Sequence, residues 1–290
     1  MPSGPRARAD ANLAVLEILK VLVAERRPAT RDEQQVLAGW SSWGAIPQVF
    51  EDDPTWDGVR ERLHALLTDD ELAAARTTVL NAHYTAPAVV RQIWRAVTEL
   101  GFAGGRVLEP GCGSGNFIGH APVSAELVGV ELDPTTARVA AALYPAATIR
   151  AEGFEQTRLP EASFVATVGN VPFGGFTLFD PVYNAGGHPI HDHFIVKSLR
   201  LTAPGGVVAV VTSAGTLDKS NPAARREMHS HGDLVGAVRL PSGAMARVAG
   251  TDVVTDVSSC EGAETAKPRA SSRAGGRSRW RSPPTVAPSR

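Results

Sequence analysis

Glycines stand at positions 111, 113 and 115 of the run Glu109-Pro110-Gly111-Cys112-Gly113-Ser114-Gly115-Asn116-Phe117, directly after a short apolar stretch. Glycine adopts positive φ freely and carries no Cβ, so a turn built this way lets the backbone approach a ligand closely. About twenty residues further on, the next apolar stretch ends in Glu131-Leu132-Asp133. An acid at that offset, at a strand end, can accept hydrogen bonds from both hydroxyls of a ribose. The third glycine comes one residue too early for the dinucleotide GxGxxG pattern. Together these residues predict a nucleotide-type cofactor site with Glu131 as the ribose ligand; a plain strand–helix turn is the alternative. Asp133-Pro134 has a simpler expected role, as N-cap and first residue of the next helix.

A second constellation follows. The apolar stretch FVATVGN (164–170) runs into Val171-Pro172-Phe173-Gly174. Asn170-Val171-Pro172-Phe173 resembles the (Asp/Asn)-Pro-Pro-(Tyr/Phe) motif of methyltransferases that act on exocyclic or amide nitrogen. The residue types suit that chemistry. Such a nitrogen is a poor nucleophile because its lone pair is delocalised. The Asn170 side-chain oxygen can accept one N–H and the Val171 carbonyl the other, which favours a pyramidal nitrogen. Pro172 keeps Val171 out of the α region, so that its carbonyl projects. Phe173 offers a stacking face to a base extruded from a duplex. Transfer then rests on positioning; the resemblance implies no metal. Valine replaces the motif's first proline, which leaves the carbonyl in place. A structural turn is the alternative reading.

Glu109 to Phe117 is in turn similar to motif I of S-adenosylmethionine-dependent methyltransferases. That likeness sets Gly111, Gly113, Gly115, Asn116 and Phe117 against the cofactor, with the Glu109 carboxylate near its methionine amino end. Phe154 matches the aromatic that covers the cofactor adenine. The acid that ordinarily precedes it is Gly153 here, so Glu152 or Glu155 would have to substitute; a core phenylalanine is the alternative.

Asn81-Ala82-His83-Tyr84-Thr85-Ala86-Pro87 resembles the Y-T-x-P element upstream of motif I in gamma-type N6-adenine methyltransferases, where Tyr84 and Thr85 would contact the methionine end. Longer strings carry a closer likeness: EQQVLAGW (33–40), LLTDDELAAAR (66–76), GNVPFG (169–174), HDHF (191–194), RLPSGAM (239–245) and AGTDVVTDV (249–257). They are similar to the methylase region of phage- and plasmid-type methylase–SNF2 helicase fusion proteins, over residues 12 to 257. The resemblance implies a DNA substrate with a flipped adenine and a helicase module as possible partner. No segment of this chain resembles a helicase motif.

Other clusters carry less. His188, His191, Asp192 and His193 lie close together, but their spacing is undistinguished as a metal set, and Asp192 is expected to cap a helix from His193. The stretch 174–187, in which the aromatics Phe176, Phe179 and Tyr183 are expected to be exposed, is long enough to be a mobile lid that touches substrate; a disordered loop is the alternative. Arg239 could face phosphate or simply solvent. Cys112 fits no nucleophile pattern.

These residues need elements to hold them. Leu13, Leu16, Leu19 and Val23 form a helical stripe, and Thr30-x-x-Glu33 and Thr68-x-x-Glu71 are capping boxes. Residues 39–50 read as a packed loop. Pro87 can open a helix whose face is Val90, Ile93, Trp94, Val97 and Leu100, with Gly101 as its C-terminal cap. From residue 106 the pattern changes to strand–helix alternation: expected strands are 106–110, 126–132, 147–151, 164–170, 206–213, 233–241 and 251–257, with helices over 134–144 and 192–202. This predicts an α/β, mostly parallel seven-stranded Rossmann-like sheet whose ligands bind beyond the carboxyl ends of the strands. The expected division is a helical region 1–100, a class I methyltransferase domain 101–257 with its last strand truncated, and a basic tail 258–290.

The charge supports that last boundary. The chain's 290 residues carry a net charge of −1. Seven Lys/Arg and two acids fall in residues 258–290, so that stretch is +5 and the remainder is −6. An acidic core argues against a broad nucleic-acid-binding surface on it. The stretch after Val257 has almost no aliphatics, and a one-nucleotide shift of plausible codons turns its start into L-V-L-R-R-R. A frameshifted C-terminus is therefore expected, to be rejected if the gene's nucleotides encode no such strand. A naturally disordered DNA-binding tail is the alternative. No 18-residue uncharged apolar run is present, no secretory signal is expected, and the two cysteines suit a reducing, cytoplasmic setting.

The expectation is S-adenosylmethionine-dependent N6-adenine methylation of DNA. Protein-glutamine N5 methylation and an inactive cofactor-binding remnant are the alternatives.

Overall fold

The computed structural model describes residues 3–78, 85–240 and 255–262. Tyr84, and the expected strand start at 251–254, lie outside them.

Four helices come first: α1 (Pro5–Glu25), α2 (Arg31–Leu37), α3 (Asp57–Leu66) and α4 (Asp69–Thr78). Both capping boxes form: Glu33 and Glu71 N–H groups donate to the hydroxyls of Thr30 and Thr68, and the two glutamates accept the threonine N–H groups in return. The α1 stripe is Leu13, Leu16, Leu19 and Leu22; Val23 points to solvent because position 22, not 23, continues the buried face. Trp40 and Trp43 pack edge to face in the loop after α2, with ring centroids 5.9 Å apart. Together these residues bury one apolar cluster, closed by Val139 of α6 (Pro134–Leu143).

Helix α5 (Pro87–Glu99) belongs with the sheet, not with α1–α4. Its Val90, Ile93, Trp94 and Val97 pack on Val107, Ala166, Val168, Val207, Ala209 and Val211. The expected division at residue 100 therefore falls just after a helix of the α/β core. Leu100 is exposed rather than part of that face, since it is the C-cap itself and the chain then turns at Gly101 (φ 105°).

The sheet has seven strands: β1 (Gly105–Pro110), β2 (Ala125–Glu131), β3 (Thr148–Ala151), β4 (Phe164–Asn170), β5 (Thr202–Ser213), β6 (Gly232–Arg239) and β7 (Thr255–Gly262). Their order is β3-β2-β1-β4-β5-β7-β6. β1 to β5 run parallel, and β7 runs antiparallel between β5 and β6. α7 (Ile190–Leu201) covers the face opposite α5, burying Leu108, Phe164, Val208 and Val210. α8 (Gly215–Asp218) and α9 (Ala223–His231) connect β5 to β6. No helix among the described residues is long and apolar enough to cross a membrane.

Several boundaries differ from expectation, the start of β5 at Thr202 rather than 206 among them. Helix α7 starts at Ile190, so Asp192 sits inside the first turn and Pro189 holds the cap position. β7 runs through residues 258–262, which the sequence pattern alone places in the tail. Ser258 pairs with Val210 and Ala237, and Glu261 with Val207 and Asp233. Ladder pairing uses backbone N–H and C=O groups, so it does not require the aliphatic side chains whose absence set the expected boundary.

Candidate functional site

The carboxyl ends of β1, β2 and β4 surround a cavity of about 430 Å³, within the usual range of small-molecule sites. Adjacent parallel strands place their last residues side by side, so residues 61 positions apart in sequence, Glu109 and Asn170, reach the same cavity wall. Gly111 stands between the two halves: a Cβ there would lie 3.8 Å from Phe194 and 3.9 Å from Pro172.

Gly111, Gly113 and Gly115 all have positive φ, at 71°, 54° and 90°. Gly115 is doubly constrained, because a Cβ would meet the Tyr144 ring at 2.5 Å. The turn directs the Gly113 N–H at the Glu131 carboxylate (2.9 Å), whose other oxygen accepts the Asp133 N–H (2.8 Å). Asp133 caps α6 through the Thr135 and Thr136 N–H groups and accepts the Thr136 hydroxyl at 2.6 Å. Burial pushes the Glu131 carboxyl up to about 7, against the pull of these backbone N–H groups.

Glu109 is buried and lines the same cavity. Burial holds its carboxyl well above the usual range despite the Phe117 and Ile118 N–H groups. Its Oε2 is buried with no hydrogen-bond partner, as is the Thr85 hydroxyl. Asn116 does not face the cavity with a free amide: its Nδ2 donates to the Thr85 carbonyl (3.0 Å), tying the segment before α5 to the glycine turn. Phe117 is buried, and its carbonyl accepts the Trp94 indole N–H at 2.9 Å. Cys112 is buried, and burial raises its thiol.

On the other side, Asn170, Val171, Pro172 and Phe173 all line the cavity. The Asn170 side-chain oxygen is buried. The Val171 N–H donates to the Val211 carbonyl (3.1 Å), which extends the β4–β5 ladder one residue beyond the strand and fixes the start of the motif. Phe154 is both a wall residue and a core residue. It lines the cavity, and it packs in the core on Phe194 with centroids 4.8 Å apart. Glu155 folds back over Gly153, its carboxylate 2.2 Å from where a Cβ of residue 153 would stand, whereas Glu152 pairs with Arg150 at 2.5 Å. Both Glu152 and Glu155 line the cavity.

The histidine cluster separates. His188 pairs with Glu227 (2.6 Å), His193 with Asp180 (3.2 Å), and His191 approaches Lys219 (3.3 Å). Among the described residues no group of three His, Cys, Asp or Glu could hold a metal. Arg239 pairs with Asp218 at 2.8 Å.

Sequence reasoning missed three contributions. Ser42 and Ala74, from the helical N-terminal part, complete the cavity wall, as do Ile190 and Phe194 of α7. The Trp40 indole donates to the Thr136 hydroxyl (3.0 Å), which links that part to the Asp133 cap. Lys197 is fully buried. It donates to Asp180 (3.0 Å) and to the carbonyls of Phe154 and Thr157, and lies over the Phe154 and Tyr183 rings at 4.8 and 4.7 Å. Burial lowers its ammonium, with Asp180 opposing. The one signal available was a lysine among apolar residues of a helix, in FIVKSL.

No protein-family model matches the chain. It is 26% identical over 258 residues to the "Defense against restriction protein B" of Escherichia phage P1, covering 87% of this chain and 10% of that protein. It is 29% identical over 201 residues to the type II methyltransferase M.XamI of Xanthomonas campestris pv. amaranthicola, covering 59% of this chain and 38% of that one. The chain thus spans well under half the length of either. Among solved structures, a putative class I S-adenosylmethionine-dependent methyltransferase of Listeria monocytogenes aligns with a TM-score of 0.54 at 15% identity, over 89% of this chain and 88% of that one. The modification subunit of a putative type I restriction enzyme from Vibrio vulnificus YJ016 aligns with a TM-score of 0.51 at 20% identity, over 71% and 53%. The fold is that of class I S-adenosylmethionine-dependent methyltransferases, which implies S-adenosylmethionine as the cofactor. The site suits that molecule: Glu131 for the ribose, apolar Phe154 for the adenine, and the unpartnered Glu109 and Thr85 oxygens for an ammonium.

Proposed function

We propose that the chain is the methylase part of a restriction-modification-type protein and transfers a methyl group to the N6 amino nitrogen of adenine in DNA. The observation that carries this reading is Asn170-Val171-Pro172-Phe173 at the end of β4, on the wall of the cavity that also holds Glu109 and Glu131. Type II methyltransferase M.XamI as a relative supports the methylase reading; the Asn-x-Pro-Phe tetrapeptide and the upstream Thr85 support N6-adenine and the gamma order.

When bound, the cofactor supplies an electrophilic methyl. The remaining work falls to the chain. Glu131 orients the ribose end, and Glu109 with the Thr85 hydroxyl holds the ammonium end. Asn170 and the Val171 carbonyl accept the two N–H groups of the acceptor, turning its lone pair toward the methyl. Phe173, part-buried between the two cores beside the sheet, offers the base a face. Catalysis is by positioning, which converts an encounter into an in-line displacement. The amino proton leaves after transfer, from a nitrogen that has become acidic. We place the protein in the cytoplasm, with DNA as partner and a helicase module as a further one.

Calorimetry with S-adenosylmethionine, followed by nucleoside analysis of duplex DNA incubated with the full chain and labelled cofactor, tests this. The expected product is N6-methyladenine, absent with Asn170→Ala. Cofactor binding without any DNA methylation would reject the proposal in favour of an inactive remnant. Label found in protein glutamine instead would reject it in favour of an amide methylase.

A further inference from the structure

The loop between Asn170 and α7 is not a loose lid. Its ends are closed by the Ile190 N–H donating to the Phe176 carbonyl at 2.9 Å. Inside, the Asn184 side chain donates to the carbonyls of Leu178 (3.0 Å) and His188 (3.1 Å) and accepts the His188 N–H (2.8 Å). Asp180 is fully buried between Lys197 and His193, and accepts the N–H groups of Val182 and Tyr183. Residues 177–189 therefore form a compact loop packed by its own side chains, a class that often carries function. Tyr183, expected to be exposed, is buried, because it stacks between Lys197 and the Arg200 guanidinium.

Against that background Phe179 stands out. It is 86% exposed, although its chain neighbour Asp180 is 1% exposed and held by an ion pair. A backbone so fixed leaves a large ring in solvent at a defined place. The neighbour on its other side, Leu178, lines the cavity, as does the half-exposed Phe176. Phe179 thus stands one residue along the chain from the wall of the pocket that would receive the base. Cationic groups flank the loop: Arg200 donates to the Val182 carbonyl at 2.6 Å, and Lys219 stands by His191 next to the loop's end.

We propose that Phe179 enters the base stack of duplex DNA and fills the gap left when the target base is extruded into the cavity. The idea rests on the DNA-methylation reading above. Extrusion costs unstacking energy, and apolar side chains inserted between base steps are a known way to sustain a distorted duplex. A ring carried on a pinned loop performs this with little ordering cost. Single-stranded DNA has no base pair to break and no facing strand to hold open, so Phe179 matters less there.

The test compares wild type, Phe179→Ala and Phe179→Trp, each as the full chain, on the same genomic DNA in native and heat-denatured form. Methyl transfer from labelled S-adenosylmethionine is measured, with cofactor affinity by calorimetry as a folding control. Phe179→Ala is expected to lose about tenfold on native DNA, the scale of one aromatic–base stack, and less than about twofold on denatured DNA. Phe179→Trp is expected to keep activity on both. Equal activity of Phe179→Ala and wild type on native DNA, or equal loss on both forms, overturns the proposal alone. A wild type that binds cofactor but methylates neither form overturns the DNA reading, and this proposal with it.

Discussion

At the β1–β2 end of the cavity, position is set by the backbone: a glycine turn with positive φ, two acids on strand ends, and N–H groups aimed at Glu131. At the β4–α7 end it is set by side chains reaching across the fold. Lys197 of α7 holds Asp180 of the loop and the carbonyls of Phe154 and Thr157 at once. The first end is stiff because few conformations satisfy the turn. The second is stiff only while a buried charge keeps its partner. The difference teaches where each end is vulnerable: the cofactor end to small losses of hydrogen bonding, the acceptor end to loss of one ion pair.

Lys197→Met should therefore have the largest effect. It leaves Asp180 buried without its ammonium, and removal of one partner of such a pair costs about 3–5 kcal/mol. Urea unfolding measures this, and replacing both Lys197 and Asp180 by apolar residues should recover part of the loss. An unchanged unfolding midpoint for Lys197→Met would break the contrast. Next comes Asn170→Ala, expected to lower the methyl-transfer rate by about a hundred- to a thousandfold, the scale of one preorganised polar contact to a reacting group. Cofactor affinity, read by calorimetry, should not change. Glu131→Gln acts at the other end and should weaken cofactor binding by about tenfold or somewhat more, the scale of a hydrogen bond to a charged group, with the bound-state transfer rate nearly intact.

A further effect is one of pH. Glu131 titrates at about 7 in the folded free protein against an ordinary 4.5. A raised folded value means that its contribution to stability is full below 4.5 and is lost as pH rises through 7. The ionised carboxylate is the better ribose acceptor, so cofactor affinity should move the opposite way, rising through the same window. Thermal unfolding and calorimetry across pH 5 to 8 check the two signs, and Glu131→Gln should flatten both. Parallel trends would show that Glu131 does not carry the dependence.

The asymmetry also explains how much could be read from the sequence. Glu109, the three glycines and Glu131 are legible because short-range rules of backbone conformation and strand length fix them. The Asn170 tetrapeptide is legible for the same reason, being a strand end. Sequence does not reveal that Asn184 and Asp180 pin the loop, since their partners lie on residues whose proximity only the packed α7 creates. It likewise hides Ser42 and Ala74, which reach the cavity because α1–α4 close their apolar cluster on Val139 of α6. β7 was misplaced by several residues for a different reason. Its pairing with β5 and β6 lives in the backbone, while the reading of its end relied on side-chain hydrophobicity.

Two indoles are wired to the cavity wall from opposite directions. Trp40 donates to Thr136, a lining residue that in turn holds Asp133, and Trp94 donates to the carbonyl of Phe117, another lining residue. Both rings are buried, so their emission is governed by those local dipoles rather than by solvent. Loading the cavity is therefore expected to perturb both hydrogen-bond acceptors and to change the intrinsic tryptophan emission, which a fluorescence titration with S-adenosylmethionine checks. Replacing Trp40 or Trp94 singly by phenylalanine separates the signal of the α6 side from that of the glycine turn.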